Sequence, residues 1–203
     1  LHRNNPHARK IVRTINAKVA YLTPQSQAKH EDGAPDVEFR AAAQQLFYEW
    51  SMCCDYRGKP GFGGQSLESL ARTGLTGVIL GGEILFRLKP ISMAEQEEYR
   101  LPVPLQMQLI HAERLAETIL SSSNGRRVFS GIELDDEGRR VAYYLLPQHP
   151  SEPIPLGSMV TSLSDPVRVP AGEVAHIFVA DDIDQLRGVP WMAAALAQIR
   201  DTG

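Results

Sequence analysis

The sequence predicts an α+β fold, in which N-terminal helices pack beside a small antiparallel β-sheet or an SH3-like barrel. Apolar residues recur at helical spacing over the first 82 residues. From residue 83 onward, short alternating or β-branched runs are separated by turn signals. We therefore divide the chain into a helical part (1–82), a β-rich part (83–180) and a final loop with the start of a helix (181–203).

The composition indicates a folded globular chain. Its 203 residues are 43% hydrophobic and 22% charged, enough for one substantial core or two modest ones. No run of about 18 apolar residues occurs, and we expect neither a membrane-spanning helix nor a signal peptide. Lys and Arg (21) nearly balance Asp and Glu (24), which argues against a tight DNA binder.

The first helix is expected from about Pro6 to Val19, because Ile11, Ile15 and Val19 recur at intervals of four residues, with Val12 beside them. The other face of this helix is basic and carries Arg9, Lys10, Arg13 and Lys18. These side chains are candidates for weak contacts with DNA phosphates, or for ordinary solvated surface positions. A polar stretch near residues 23–35 has no structural period and is expected to be a mobile surface loop.

Two more helices are expected before the strands begin. Asp36 is the predicted N-cap of a helix from Val37 to about Cys54. Its apolar stripe would consist of Phe39, Ala43, Leu46, Phe47 and Trp50. Ser66 is the predicted cap of a third helix that ends near Leu80, where two glycines follow.

The β-rich part is expected to hold several short strands. The predicted strands are Glu83–Leu88, Leu105–Ile110, a hairpin over 128–146, Val167–Val169 and Val174–Val179. A charged excursion from Met93 to Arg100 would separate the first two strands. Glycine-containing turns at Asp135–Gly138 and Pro170–Glu173 would join the later ones.

An acidic loop offers one enzymatic alternative. Asp181, Asp182 and Asp184 follow His176 closely, and carboxylates with imidazole are suitable metal ligands, which would permit a metal-dependent hydrolase. Their spacing matches no established metal-binding loop, and a solvated acidic loop explains them as well. No nucleophile elbow or phosphate-binding loop occurs. We therefore assign no catalytic residue, metal ligand or cofactor, and we do not expect an enzyme.

The segment Gln185 to Trp191 predicts a tight corner between a loop and a helix. Gly188 allows backbone angles that other residues avoid, and Pro190 suits the first turn of a helix. Arg187 would either hold a carboxylate of an adjacent subunit or bind the aspartates of its own loop. Trp191 is expected to anchor the helix start in the core rather than to contact DNA. The alanine-rich stretch that follows needs a partner surface.

Several segments, taken in chain order, resemble the portal proteins of lambda-like tailed bacteriophages. They are RNNPHARKIVRTI (3–15), DYRG (55–58), QMQLIHAERL (106–115), GIELDDEGRRVAYY (131–144) and VPAGEVAHIF (169–178), which leads into RGVPW (187–191). His111 and Glu113 depart from the family pattern, which usually has glutamate and aspartate there. The resemblance covers almost the whole chain.

The resemblance implies a structural subunit of a ring, usually of twelve copies, at one vertex of the capsid. Double-stranded DNA would pass through this channel non-specifically during packaging and ejection, and the ring would be the attachment point for head–tail joining. The implied partners are terminase, scaffold or protease, the major capsid protein and head-completion proteins. The implied location is the virion, after assembly in the bacterial cytoplasm.

The resemblance also implies which part of a portal subunit this chain represents. Leu1 is not an initiator methionine, and the chain stops near the start of a helix. We therefore expect the chain to correspond to only the N-terminal part of a portal subunit, which includes the wing. Candidate subunit-interface residues are Gln185, Arg187, Gly188, Pro190 and Trp191. A generic protein-binding β-barrel module remains a further alternative.

Overall fold

The computed structural model describes residues 5–19, 24–58, 64–151 and 165–193. Within these ranges the helices are α1 (Pro6–Val19), α2 (Val37–Ser51), α3 (Leu67–Gly81) and α4 (Met93–Tyr99). The strands are β1 (Glu83–Pro90), β2 (Leu105–His111), β3 (Val128–Phe129), β4 (Ile132–Leu134), β5 (Arg140–Leu145), β6 (Val167–Pro170) and β7 (Val174–Phe178). The predicted α+β class is confirmed. No helix in these ranges is long and apolar enough to cross a membrane.

The strands form two separate antiparallel sheets. One has the order β2-β1-β7 and the other the order β3-β4-β5-β6. The alternative of an SH3-like barrel is wrong for the described strands. The reason lies at Ala171–Glu173, a 3-10 turn after which the chain leaves the four-stranded sheet and pairs β7 with β1.

The main hydrophobic core joins the two sheets. Leu85 and Ile110 from the three-stranded sheet pack with Ile132, Tyr143 and Val169 from the four-stranded sheet, and all five are almost completely buried. The two sheets therefore share one core although they share no strand.

Local capping signals determine the helix ends. The Asp36 side chain accepts a hydrogen bond from the Phe39 N–H at 2.9 Å, and the Ser66 hydroxyl accepts one from the Ser69 N–H at 3.3 Å. Helix α3 is closed by its C-cap Gly82, whose φ of 89° lies in the left-handed region that favours glycine. These three predicted ends are confirmed.

Helix α4 lies within the stretch Met93 to Arg100, for which the sequence predicted a charged excursion and no helix. It begins with a capping box, in which the Ser92 hydroxyl accepts from the Glu95 N–H while the Glu95 carboxylate accepts from the Ser92 N–H. The helix buries none of its residues, so its sequence shows no apolar period. Capping, rather than core packing, defines this element.

Helix α2 is attached to the body mainly near its C-terminal end. The buried Trp50 donates its indole N–H to the Leu105 carbonyl at 2.7 Å. The predicted apolar stripe is not buried along its length, since Phe39 is 59% exposed and Leu46 43% exposed. Tyr48, on another face, is 59% exposed. The helix therefore presents large apolar side chains to its surroundings.

Helix α1 packs against α3 through part of the predicted apolar face, because Val12 is buried and Ile15 is partly buried there. Ala8 and Val12 are buried against Ile79, whereas Ile11 is 42% exposed. Of the predicted apolar residues, Ile11 is therefore the one that faces outward among those whose burial is described. The helix nevertheless spans the predicted residues, Pro6–Val19.

Candidate functional site

A buried carboxylate, Glu83, holds the corner at 185–191 in place. Its side chain is only 3% exposed. The Arg187 Nε donates to Oε1 at 2.5 Å, and the Gly188 N–H donates to Oε2 at 2.7 Å. The Nε2 of His176, on β7, lies 3.0 Å from Oε2. Because Glu83 is the first residue of β1, these contacts attach the corner to the centre of the three-stranded sheet.

The environment keeps Glu83 ionised. Burial by itself would raise the pKa of this carboxyl, but hydrogen bonds from His176, Gly188 and Arg187, together with the charge of Arg187, lower it below its ordinary value. A buried carboxylate without such partners would be strongly unfavourable. Glu83 and Arg187 therefore form an ion pair on which the shape of the corner depends.

Arg187 connects further segments of its own chain. Its Nη1 donates to the Ser130 carbonyl at 3.1 Å and to the Glu117 carboxylate at 3.3 Å. Within the described residues it makes none of the bonds to the loop aspartates that the sequence suggested. A contact between Arg187 and a neighbouring subunit stays a prediction.

Two glycines allow the corner to approach the end of α3. A Cβ atom built on Gly188 would lie 2.2 Å from the carbonyl oxygen of Gly82 and 2.7 Å from the Cβ of Phe178. A Cβ on Gly82 would lie 2.7 Å from the backbone nitrogen of Pro190. No side chain fits between these backbones, so both positions need glycine for space.

Gln185 closes the acidic loop that precedes the corner. Its side-chain oxygen accepts from the N–H groups of Asp181 (2.7 Å) and Asp182 (3.1 Å), and its amide group donates to the Arg187 carbonyl at 2.6 Å. This side chain thus turns the loop and presents Arg187 to Glu83. Asp184, with φ of 61°, occupies the left-handed region within the same turn.

The metal site considered for this loop does not form in the described residues. His176 is almost completely buried and bonds Glu83, whereas Asp181, Asp182 and Asp184 are exposed. These four residues do not converge into a group with metal-ligand spacing. The hydrolase alternative therefore has no geometric support here.

Met192, rather than Trp191, is buried at this end of the chain. Met192 is 5% exposed and packs against Ala8, Val12 and Ile79, so it is the residue that anchors this end of the chain in the core. Trp191 is 45% exposed. The expectation that Trp191 is a core anchor is wrong, because the corner directs the preceding side chain outward.

An apolar groove of about 490 Å³ lies beside Trp191. Its walls come from α3, β1, β7 and the corner, and they include Leu75, Val78, Phe86, Ile177, Val179 and Trp191. Ile177 and Val179 are 45% and 48% exposed. Strand β7 is an edge of its sheet. The groove is therefore an accessible apolar surface with the Trp191 side chain in its wall.

The predicted basic face of α1 is at the surface. Arg9, Lys10, Arg13 and Lys18 are all exposed, and all four border one shallow depression. Their contact with DNA stays a prediction.

Sequence reasoning missed Glu83 as the organiser of the corner. One signal was present, because a carboxylate stands directly before the apolar run Ile84-Leu85-Phe86 in a predicted strand. A buried charge needs a partner. The sequence could not say that the partner would be Arg187, which is 104 residues further along the chain.

The whole chain, residues 1–203, matches the model of a family described as phage portal protein, lambda family. The chain belongs to this family. A curated relative, named "Probable portal protein", from Halomonas phage phiHAP-1, is 26% identical over 201 residues. The match covers 94% of this portal-family chain and 35% of the relative. The chain thus spans about a third of the relative's length.

Two segments that resembled portal proteins have structural roles in this portal-family chain. Asp55 is 1% exposed, and its carboxylate accepts from the N–H groups of Arg57 and Gln65, both at 3.0 Å. Glu133, in the β4–β5 hairpin, is completely buried, and its carboxylate accepts a hydrogen bond from Arg168 Nε at 2.7 Å. These two carboxylates stabilise a loop and a sheet.

Proposed function

We propose that this chain forms the wing part of a portal subunit. The subunit would be one of a ring, usually of twelve copies, at one capsid vertex, and the role would be structural rather than enzymatic. The observation that carries the proposal is the family match over all 203 residues. The ring would let DNA pass during packaging and ejection and would join head to tail in the virion.

The corner is the proposed contact with one neighbouring subunit. Its candidates are Gln185, Arg187, Gly188, Pro190 and Trp191. The bonds from Arg187 and Gly188 to Glu83 fix the backbone before Trp191, so we expect little backbone freedom to be lost on association. Large aromatic residues on such supports commonly dominate interface energies.

Helix α2 supplies a second and different apolar surface. Phe39, Leu46 and Tyr48 leave it apolar on more than one face, a pattern typical of helices that become buried. A closed ring requires two unlike surfaces on each subunit, because each copy contacts one neighbour with each of them. We propose that α2 of one copy packs into the groove beside Trp191 of the next.

The charge balance suits a conduit for DNA. Phosphate contacts add affinity that depends on salt, and a duplex held by many of them would not slide. The net charge of −3 and the four cations of α1 are compatible with weak, non-specific contact. Terminase, scaffold or protease, the major capsid protein and head-completion proteins are the proposed partners.

The first experiment is negative-stain electron microscopy, with light-scattering mass, on the full-length gene product. Rings with a central hole and a mass of about a dozen subunits are expected. A monomer or dimer at every protein and salt concentration would contradict the ring proposal.

The proposed contact has a sharper test in two variants of the full-length product. Phe39→Glu disables α2, and Ile177→Glu disables the groove. Each variant alone is expected to remain monomeric. A mixture should give heterodimers, because one intact α2 meets one intact groove and the other two surfaces are blocked. Ile183→Glu is the control, since Ile183 is 87% exposed and is not among the residues of either surface. Rings formed by both surface variants would refute this contact.

A further inference from the structure

A cluster of two imidazoles and one carboxylate lies away from the corner. His111 ends β2, Glu113 lies in the 3-10 turn after it, and His149 follows β5. One ligand atom from each residue lies within 4.8 Å of the others, and in the described part of the chain this is the one group of three such residues with metal-ligand spacing. We propose that the His111–Glu113–His149 cluster binds a divalent transition-metal ion of the Zn²⁺ class.

Hydrogen bonds place the two halves of the cluster side by side. Arg114 Nε donates to the Leu146 carbonyl at 2.8 Å, and its Nη2 donates to the Pro147 carbonyl at 2.8 Å. The Leu146 N–H donates a hydrogen bond to the Arg114 carbonyl at 2.7 Å. The segment that carries His149 is thus held against the turn that carries Glu113 by bonds that do not involve the ligands.

The donor set suits Zn²⁺ and similar ions. Two nitrogens and one carboxylate oxygen are ligands of borderline metals, whereas calcium and magnesium prefer oxygen alone. Ligands around a tetrahedral ion lie roughly 3.3 Å apart when the bonds are about 2.0 Å long. The side chains must therefore close by only about 1.5 Å, and Glu113, 59% exposed, has room to move.

The present hydrogen bonds define what the metal would replace. The Nδ1 of His111 accepts from the Glu113 N–H at 3.2 Å, and the Nδ1 of His149 accepts from the Ser151 N–H at 3.1 Å. Each neutral ring therefore carries its proton on Nε2, and that of His149 points to the Glu113 carboxylate at 3.1 Å.

Metal binding at Nε2 would move the remaining proton of each ring to Nδ1. The number of protons per ring stays the same. The two hydrogen bonds from the Glu113 and Ser151 N–H groups to Nδ1 are lost, and two metal–nitrogen bonds form. Metal binding through Nε2 would thus be a switch of histidine tautomer at both positions.

The site would connect the two sheets. Strand β2 belongs to the three-stranded sheet, and His149 follows the strand β5 of the other sheet. An ion that binds the folded chain and not the unfolded one stabilises the fold by mass action. This role is independent of ring formation.

The binding test is titration of the untagged protein with ZnCl₂ in a calorimeter. One ion per chain is expected. His111→Ala and His149→Ala should each weaken binding by more than about tenfold, because even loss of an outer-shell partner typically costs 10–100-fold. The matched control is His30→Ala, which removes a histidine 3.6 Å from the Asp36 carboxylate, a pair that has no third ligand among the described residues. Zn²⁺ binding unchanged in the two cluster variants, or absent in the wild type, would overturn the proposal.

A second measurement needs no substitution. Long-range ¹H–¹⁵N spectra of the histidine rings should show the Nε2–H tautomer at His111 and His149 without metal and the Nδ1–H tautomer with Zn²⁺. Glu113→Gln should reduce the affinity while the switch still occurs at saturation. Saturable Zn²⁺ binding that leaves the ring ¹⁵N chemical shifts of both histidines unchanged would locate the ion elsewhere and refute the assignment.

Discussion

The Arg187 guanidinium, which is 22% exposed, binds the almost completely buried carboxylate of Glu83, a residue 104 positions earlier in the chain. The same carboxylate accepts the Gly188 N–H, so a single side chain orients both the cation and the backbone of the corner. Glycine and proline permit the turn at 188–190, but the ion pair determines its direction. The exposure of Trp191 follows from that direction.

Glu83→Gln should destabilise the fold strongly. The amide keeps the shape of the side chain but leaves the Arg187 charge, 22% exposed, without its main partner. Breaking a buried pair in this way costs about 3 kcal/mol. Urea unfolding measures the loss. The control is Glu117→Gln, since Glu117 contacts the same guanidinium at 3.3 Å but is 69% exposed and should matter little. Equal losses in the two variants would argue against the central role of Glu83.

Gly188→Ala should separate the corner from the end of α3. The added methyl group would lie 2.2 Å from the Gly82 carbonyl oxygen, so one of the two backbones must move. Overpacking of this kind typically costs about 1–3 kcal/mol. Gly172→Ala is the control, because a Cβ there meets nothing within 4 Å. Thermal unfolding of both variants measures the difference, and a Gly188 variant as stable as the control would contradict the described approach.

Glu133 should make stability depend on pH in acid. Hydrogen bonding from Arg168 lowers the pKa of this carboxyl below its ordinary value of 4.5, in spite of burial, which acts in the opposite direction. Just below pH 4.5, Glu133 is therefore protonated more readily in the unfolded chain than in the folded chain. The stabilisation is complete above that pH and is lost as the pH falls through the folded-state pKa.

The pH test compares urea unfolding of the wild type and Glu133→Gln between pH 3 and pH 7. The variant should be less stable at neutral pH and show a flatter curve below pH 4.5, because its amide does not titrate. Glu137→Gln, at a residue that is 70% exposed, is the comparison variant. Identical slopes in the wild type and the Glu133 variant would exclude this source of acid sensitivity.

Local chemistry was predictable from the sequence, and pairing over long distances was not. Asp36, Ser66 and Gly82 act on backbone groups within a few residues, so the caps of α2 and α3 could be identified directly. The pairing of β1 with β7 depends on the whole intervening chain, which is why a closed barrel could not be distinguished from two sheets. Strand pairing is decided by the shared core, not by the strands alone.

The candidate site shows the same division. The corner at 185–191 was visible from its glycine and proline, whereas Glu83 and Ser130, its partners, come from other elements. His111 and His149 are likewise brought together only by the fold. Trp191 was expected in the core because of its size, but side-chain size does not tell which way a corner turns.

Met192→Ala and Trp191→Ala should separate stability from assembly. Met192 is 5% exposed among Ala8, Val12 and Ile79, so its truncation leaves a cavity and costs about 2–4 kcal/mol. Trp191 is 45% exposed, and its truncation should change the unfolding free energy much less while weakening the proposed contact between subunits. Unfolding in urea and light-scattering mass on the full-length product measure the two effects. A Trp191 variant that loses as much stability as the Met192 variant, yet still forms rings, would contradict both the exposure of Trp191 and its role in the contact between subunits.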